Sequence, residues 1–160
     1  MVDLDLLAGS ELCAGLAGGE LERLGELAEK GSAAQGQRIH QENQEAEELF
    51  LLTHGRVELR FGLPGRGDGR DTTVSVVRPG GFFGWSALVP PHRYTLTAVC
   101  AAAPCRFYRL RRGPTLGLFR VQPLIGYRVM RNLAGIMGRR FRSLQEELVR
   151  EVGQEVMHGW

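Results

Sequence analysis

The middle of the chain, residues 36–112, consists of short runs rich in apolar residues that are separated by turn residues. Residues 49–52 are all apolar, which is typical of a buried strand, whereas apolar and polar residues alternate over residues 57–61. Strand character returns after residue 72 and again after residue 94. Many short strands beside helices predict a mainly β fold with flanking helices (α+β), built on an antiparallel β-roll or jelly roll.

Glycine, asparagine and proline residues predict where these strands turn or break. Gly55 and Asn43 stand at turns that require a positive φ angle. Pro104 divides the last β segment into two strands, because proline cannot donate a ladder hydrogen bond. The glycine-rich residues 62–71 lack the GxxxxGK[ST] pattern of a phosphate-binding loop, so we interpret them as a loop between two antiparallel strands.

The residues before the β segment are predicted to be helical. Leucines recur there at near-helical spacing over residues 10–30, and Ser10 is available as an N-cap. The leucines concerned are Leu12, Leu16, Leu21, Leu24 and Leu27. This pattern predicts one short helix or a pair of helices.

A long apolar stripe dominates the C-terminal part of the chain. After a short segment around residues 116–120, Pro123 is suited to the first turn of a helix. The stripe consists of Met130, Leu133, Met137, Phe141, Leu144, Leu148, Val152 and Val156. A helix of about 35 residues would be about 50 Å long, which exceeds what a roll of this size can cover. The excess stripe needs a partner, and a second copy of the same helix, forming a homodimer, is the simplest one.

The length of 160 residues predicts a single domain. We divide it into N-terminal helices over residues 10–35, the β-roll over residues 36–112 and C-terminal helices over residues 113–158. The acidic N-terminus has no basic region of a secretory signal, and no apolar run approaches the roughly 20 residues of a membrane span. We therefore expect a cytoplasmic protein with no membrane span.

The distribution of cysteine and histidine argues against several kinds of site. The three cysteines, Cys13, Cys100 and Cys105, are odd in number and lack CxxC spacing, so we expect buried or incidental thiols and no disulfide framework. The four histidines show no metal-ligand spacing. We find no nucleophile paired with a base and no carboxylate pair in the middle of the chain. No metal site and no catalytic residue is predicted, and we do not expect an enzyme.

Charge is distributed unevenly although the net charge is only +2. Residues 1–71 carry a net charge of −7, residues 72–145 carry twelve arginines and no acidic residue, and residues 146–160 carry −3. An acid-free block of this kind indicates either an anionic partner or arginines that decorate solvated faces, and the sequence leaves both interpretations open.

The order of these parts resembles the cyclic nucleotide-binding domain of the CRP/FNR-type regulators, the kinase regulatory subunits and the cyclic-nucleotide-gated channels. The resemblance rests on the N-terminal helix, on the segment "GQRIHQENQEAEELFLLTHGRVEL", on the "RPGGFFG" turn and on the final long helix. It covers nearly the whole chain. It implies a regulatory module that binds a cyclic nucleotide, cAMP or cGMP, without catalysis.

In that family a phosphate-binding cassette follows the turn, and its residues map onto "GWSALVPPHRYT" here. The resemblance implies a glutamate that accepts from the ribose hydroxyl and an arginine that neutralises the cyclic phosphate. Gly84, Ala87 and Leu88 fit the pattern, while Trp85 occupies the glutamate position and Ser86 an apolar one. The candidate ligand-binding residues are Gly84, Trp85, Ser86, Ala87, Leu88, Arg93, Tyr94 and Thr95.

Several of these residues depart from the family pattern. Arg93 is the one arginine in the right interval, but Tyr94 and Thr95 stand where the family has small residues. Because an indole N–H donates and does not accept, Trp85 removes the ribose acceptor. Trp85 is either a retuned ligand contact or a plug in a vacated pocket, and Arg93 is either a phosphate ligand or a surface charge. The run "RRFR" at residues 139–142 reaches the pocket or, more simply, lines a solvated helix face.

Three functional hypotheses follow. The first is a sensor that binds a nucleotide or another small anionic ligand and signals through the C-terminal helix to a downstream protein that the sequence does not identify. The second is a dimeric interaction module whose pocket is plugged by Trp85. The third is unspecific binding of nucleic acid or anionic lipid by the arginine block. No helix-turn-helix follows the long helix, so sequence-specific DNA binding is not expected.

Overall fold

The computed structural model describes residues 1–62 and 72–158, and it confirms a mainly β fold with flanking helices. Its elements are α1 (Leu4–Gly9), α2 (Gly18–Glu26), β1 (Ala28–Ala33), β2 (Arg38–His40), β3 (Glu48–Phe61), β4 (Thr72–Val77), β5 (Phe82–Phe83), β6 (Thr97–Arg111), α3 (Arg112–Val121) and α4 (Pro123–His158). Short 3-10 turns lie at Glu11–Cys13 and Trp85–Ala87. Of the predicted loop at residues 62–71, all but the first residue lie outside the described residues, as do the side chains of Val156 and His158.

The strands form an antiparallel sheet in the order β1-β6-β3-β4, with β2 added to β6 and β5 added to β3. The two longest strands, β3 and β6, pair over most of their length and make the frame of the roll. The prediction that Pro104 separates two strands was wrong, because β6 is continuous through it. Register shifts between Leu52 and Val57 of β3 place this proline opposite an irregular stretch, where its missing N–H costs no regular ladder bond.

The roll begins earlier in the chain than the sequence pattern indicates. Strand β1 starts at Ala28 and pairs with β6 from Ala28↔Leu110 to Ala33↔Cys105. Its sequence, AEKGSA, is polar and lacks the alternation that marks a strand. Backbone pairing with a long neighbour therefore decides the conformation of these six residues, against their own weak propensity.

The N-terminal helices are tied to the first half of α4. Ser10 caps the 3-10 turn as predicted, since its hydroxyl accepts from the backbone N–H of Cys13 at 3.3 Å. The amide of Asn132 donates to the carbonyl oxygens of Leu12 at 2.9 Å and Ala14 at 2.8 Å. Arg128 forms an ion pair with Glu20 of α2.

Helix α4 begins at Pro123, as predicted, and runs for 36 residues. Ile125, Val129, Leu133 and Ile136 of its first half are buried in the core. The apolar stripe beyond them is exposed, with 63% of Phe141, 50% of Leu144, 61% of Leu148 and 52% of Val152 accessible to solvent. The roll thus covers the first half of the stripe and leaves the second half without a partner among the described residues.

The cysteines correct one expectation. Cys100 and Cys105 are joined by a disulfide whose Cα atoms lie 5.9 Å apart, whereas Cys13 is a buried free thiol as expected. The pair flanks the irregular stretch of β6, which bends the chain so that two residues five positions apart face each other. Spacing alone did not indicate this bend.

Candidate functional site

A cavity of about 640 Å³ lies between the roll, the 3-10 turn at Trp85–Ala87 and helix α4. Its volume is within the range of pockets that bind small molecules. The roll contributes Leu59, Val74 and Ser75, the segment around the turn contributes Trp85, Thr95 and Leu96, and α4 contributes Met137, Arg139, Arg140, Phe141, Ser143, Leu144 and Glu147. The lining is mainly apolar, with two guanidinium groups and one carboxylate.

The turn that carries Trp85 is held by the core. Gly84 has a left-handed φ of 77°, and a Cβ atom there would lie 2.9 Å from the carbonyl oxygen of Glu48. Ser86, Ala87 and Leu88 are buried. Trp85 is partly exposed and lines the cavity. The close contact between Gly84 and β3 therefore fixes the position from which the Trp85 side chain projects toward the cavity.

Arg93 does not line this cavity. Its side chain is exposed, and its Nη1 donates to the carbonyl oxygen of Asn43 at 2.8 Å. The backbone of Arg93 also forms an isolated antiparallel bridge with Glu45. In this arrangement the guanidinium stabilises the turn at Asn43, whose φ of 65° confirms the predicted positive angle.

Tyr94 belongs to the core, while the neighbouring Thr95 lines the cavity. The Tyr94 hydroxyl donates to the carbonyl oxygen of Glu48 at 2.8 Å, and its ring stacks on His40 at a centroid distance of 3.8 Å. Burial raises the pKa of Tyr94 to about 12, which favours the protonated phenol that donates this hydrogen bond. The Tyr94 side chain, which stands where the family has a small residue, thus links its own segment to His40 of β2 and Glu48 of β3.

Of the predicted ligand-binding residues, Trp85 and Thr95 are brought to the cavity. Gly84, Ser86, Ala87, Leu88 and Tyr94 form the buried support behind it, and Arg93 lies apart. The sequence-based interpretation of residues 139–142 as a solvated face holds for Arg142, which is exposed, but Arg139 and Arg140 line the cavity. Arg140 follows Met137 of the apolar stripe by three residues, which places both on one face of the helix, but this spacing alone does not tell whether that face meets the roll.

Several arginines of the acid-free block are neutralised within the fold. Arg109 and Arg111 pair with Glu29 at 3.1 and 3.3 Å, Arg112 pairs with Glu45 at 2.9 Å, and Arg139 pairs with Glu11 at 3.2 Å. These acids come from the acidic N-terminal half of the chain. Part of the uneven charge along the sequence is thus a set of long-range ion pairs.

The family model of the cyclic nucleotide-binding domain matches residues 31–121, which is more than half of the chain. The chain belongs to this family. The family and its fold are those of regulatory binding domains rather than enzymes.

Solved structures support the assignment of this cyclic nucleotide-binding domain. A protein of Geobacter metallireducens described as a cyclic nucleotide-binding protein is 28% identical, with a TM-score of 0.74 over 88% of this chain and 99% of that one. The catabolite activator protein of Thermus thermophilus is 28% identical, with a TM-score of 0.72 over 89% of this chain and 63% of that one. The regulatory domain of Toxoplasma gondii PKA, solved with cAMP, shares the fold at 21% identity, with a TM-score of 0.64 over 71% of this chain and 42% of that one.

A comparison with curated proteins gives no significant match. Among the helices of the described residues, none has the length and apolar character needed to cross a membrane. Within residues 1–62 and 72–158, no three histidine, cysteine, aspartate or glutamate side chains come together in a way that would hold a metal ion.

Proposed function

We propose that this domain is a regulatory sensor that binds a nucleotide or another small anionic ligand in the cavity beside Trp85. Helix α4 would then pass the signal to a partner. The observation that carries the proposal is that the cavity is bounded jointly by the rigid roll and by α4. A ligand that contacts both favours one placement of the helix over others, which is the differential binding that signalling requires. The relative from Toxoplasma gondii solved with cAMP supports a cyclic nucleotide as the first ligand to test.

A second candidate is a dimeric interaction module that no longer binds cyclic nucleotides. The observation in its favour is the hydrogen bond from Arg93 to the carbonyl oxygen of Asn43. This bond engages the arginine that the family resemblance assigns to the cyclic phosphate. The open volume of about 640 Å³ next to a partly exposed Trp85 favours the sensor, since a plug would fill the pocket. Both candidates use the same helix, and they differ in whether a ligand binds.

Ligand binding can be tested by thermal unfolding with millimolar cAMP, cGMP and other phosphorylated nucleotides. A ligand at about 100 times its Kd adds about 2.7 kcal/mol, or several degrees in Tm for a domain of this size. Ser75→Phe is expected to abolish the shift, because Ser75 lies on β4 and lines the cavity. Val76→Phe is the matched control, since Val76 is the next residue of the strand, is 43% exposed and does not line the cavity.

If no nucleotide raises Tm in the wild-type protein, the second candidate is favoured. If Ser75→Phe and Val76→Phe both retain a nucleotide shift, the ligand binds elsewhere and the cavity is not the site.

We also propose that two copies of the chain associate through the exposed half of α4. Phe141, Leu144, Leu148 and Val152 are each at least half exposed and follow one another at steps of three or four residues. At about 25 cal/mol per Å² of apolar surface, burying such a stripe against its copy stabilises a dimer by several kcal/mol. A self-complementary contact of this kind closes as a symmetric pair.

The wild-type protein is expected to sediment as a dimer at about 10 µM, whereas the double variant Leu148→Glu and Val152→Glu sediments as a monomer, because carboxylates cannot be buried in an apolar seam. These two residues belong to the stripe but do not line the cavity. Arg150→Glu makes an equal change of net charge on the same helix, off the stripe, and is expected to remain dimeric. A monomeric wild-type protein would rule the dimer out.

A further inference from the structure

Arg140 differs from the other arginine of the cavity in having no carboxylate partner among the described residues. It is partly buried, and its guanidinium carbon lies 5.6 Å from the ring centroid of Phe82. Its neighbour Arg139 is exposed and pairs with Glu11 at 3.2 Å. The cavity therefore contains one neutralised guanidinium and one that has no counterion within the part of the chain that the structure describes.

A partly buried cation without a counterion is costly. Burial lowers the pKa of the Arg140 guanidinium from its usual value, and the more distant carboxylate of Glu11 offsets this only in part. The face of the Phe82 ring supplies a cation–π contact, which compensates for some of the lost hydration. An anion in the cavity would supply the missing charge-assisted hydrogen bonds.

The rest of the cavity indicates what such an anion would be attached to. Trp85 offers a flat aromatic face, and the lining around it is mostly aliphatic or aromatic. The one carboxylate among the described lining residues, Glu147, lies seven positions after Arg140, which is about 10 Å along the helix axis. The end of the cavity at Arg140 is thus positive and largely apolar, and the polar side chains among the described lining residues also include neutral hydroxyl groups such as that of Ser143.

We infer that Arg140 of helix α4 is the anion-binding residue of this cavity, and that its ligand is a flat, largely apolar ring system with one anionic group. The inference rests on the proposed function, because it assigns the ligand class of the same cavity. It moves the anion contact from Arg93, on the roll, to the helix that carries the signal. A charged ligand would then form its electrostatic contact with α4 itself.

Two dyes with the same rings and different charge test this. The probes are 8-anilinonaphthalene-1-sulfonate, which is an anion, and N-phenyl-1-naphthylamine, which is neutral. Arg140→Gln is expected to weaken sulfonate binding about tenfold, because it removes a charge-assisted contact, and to leave the affinity for the neutral dye unchanged within about twofold. Arg140→Lys, which keeps the charge, is expected to retain most of the sulfonate affinity.

Arg142→Gln is the matched control, since Arg142 lies on the same helix, is exposed and does not line the cavity. It and Arg93→Gln are expected to leave both affinities unchanged, and Tm is measured for every variant to show that each is folded. Loss of sulfonate binding in Arg93→Gln, or an equal loss in Arg140→Gln and Arg142→Gln, would overturn the inference. Ser75→Phe separates this failure from that of the proposed function, because binding of both dyes to Ser75→Phe as to the wild type would show that the cavity is not the site.

Discussion

Replacement of Gly55 by alanine is expected to lower the free energy of unfolding by about 3 kcal/mol or more, with a fall in Tm of about 10 °C. Gly55 has a φ of +87°, which is unfavourable for an L residue. In addition, the new Cβ would lie 2.6 Å from the carbonyl oxygen of Ala102 and 2.7 Å from that of Pro104. Both oxygens belong to the backbone of β6, which is held at this stretch by the pairing of Ala102 with Arg56 of β3 and by the disulfide between Cys100 and Cys105, so it cannot move away at low cost.

Gly36→Ala separates backbone strain from steric overlap. Gly36 has a similar φ of +83°, but a Cβ atom there would meet nothing within 4 Å. This variant is expected to lose only about 1 kcal/mol, which is the cost of the left-handed conformation for alanine. The measurement is chemical denaturation of both variants under the same conditions. Equal losses would show that the close approach to β6 contributes nothing.

Local patterns predicted the parts of the fold that local chemistry decides. The positive φ angles of Gly55 and Asn43, the cap at Ser10 and the first turn at Pro123 all follow from what one residue type does in one backbone conformation. The buried strand segment at residues 49–52 was equally easy to predict, because all four side chains are apolar. The antiparallel class of the sheet followed from strand length and turn spacing.

Pairing between distant segments decided what the sequence pattern missed. Strand β1 is polar and forms because β6 is beside it, and β6 is continuous because β3 changes register opposite Pro104. The disulfide between Cys100 and Cys105 depends on the same irregular stretch. None of these features has a periodic signal in its own segment, so they become visible only when both partners are placed.

The candidate site also combines residues that local patterns predicted with residues that depend on how distant segments pack. The family resemblance singled out Trp85 and Thr95 as candidate ligand contacts, and both line the cavity, one and eleven positions after Gly84. The contribution of Arg140 depends on how α4 lies across the roll, and a helical pattern alone does not tell which face of its second half meets the roll. The same uncertainty made a solvated face the simpler interpretation of residues 139–142.

The cavity and the exposed stripe share residues, which bears on how a signal would travel. Phe141 and Leu144 line the cavity and also belong to the stripe that we propose as the dimer contact. A ligand that fixes these two side chains would change the surface offered to the second copy. Ligand affinity and dimer affinity would then be coupled, and by thermodynamic reciprocity each would change the other by the same factor.

His40 gives the domain a second large and testable property, a loss of stability in mild acid. It is only 6% exposed, stacks on Tyr94 and, among the described residues, has no hydrogen-bond partner at either ring nitrogen. Burial lowers its pKa to about 4, and the nearby backbone of Leu96 counteracts this only weakly. Three glutamates share a cleft with His40, and burial outweighs any attraction they exert on a protonated ring.

Because the unfolded chain binds a proton on His40 near pH 6.5 and the folded chain only near pH 4, stability is expected to fall as the pH is lowered between these values. The full loss from this residue is about 3 kcal/mol. His40→Phe removes the titrating group and should flatten that part of the stability curve, measured by denaturation at pH 7, 5.5 and 4. His54→Phe, which replaces an exposed imidazole, should keep the wild-type slope. Parallel curves for the wild type and His40→Phe would mean that the buried imidazole does not govern the response, and that paired carboxylates such as Glu58, whose pKa is lowered chiefly by Arg60, carry it instead.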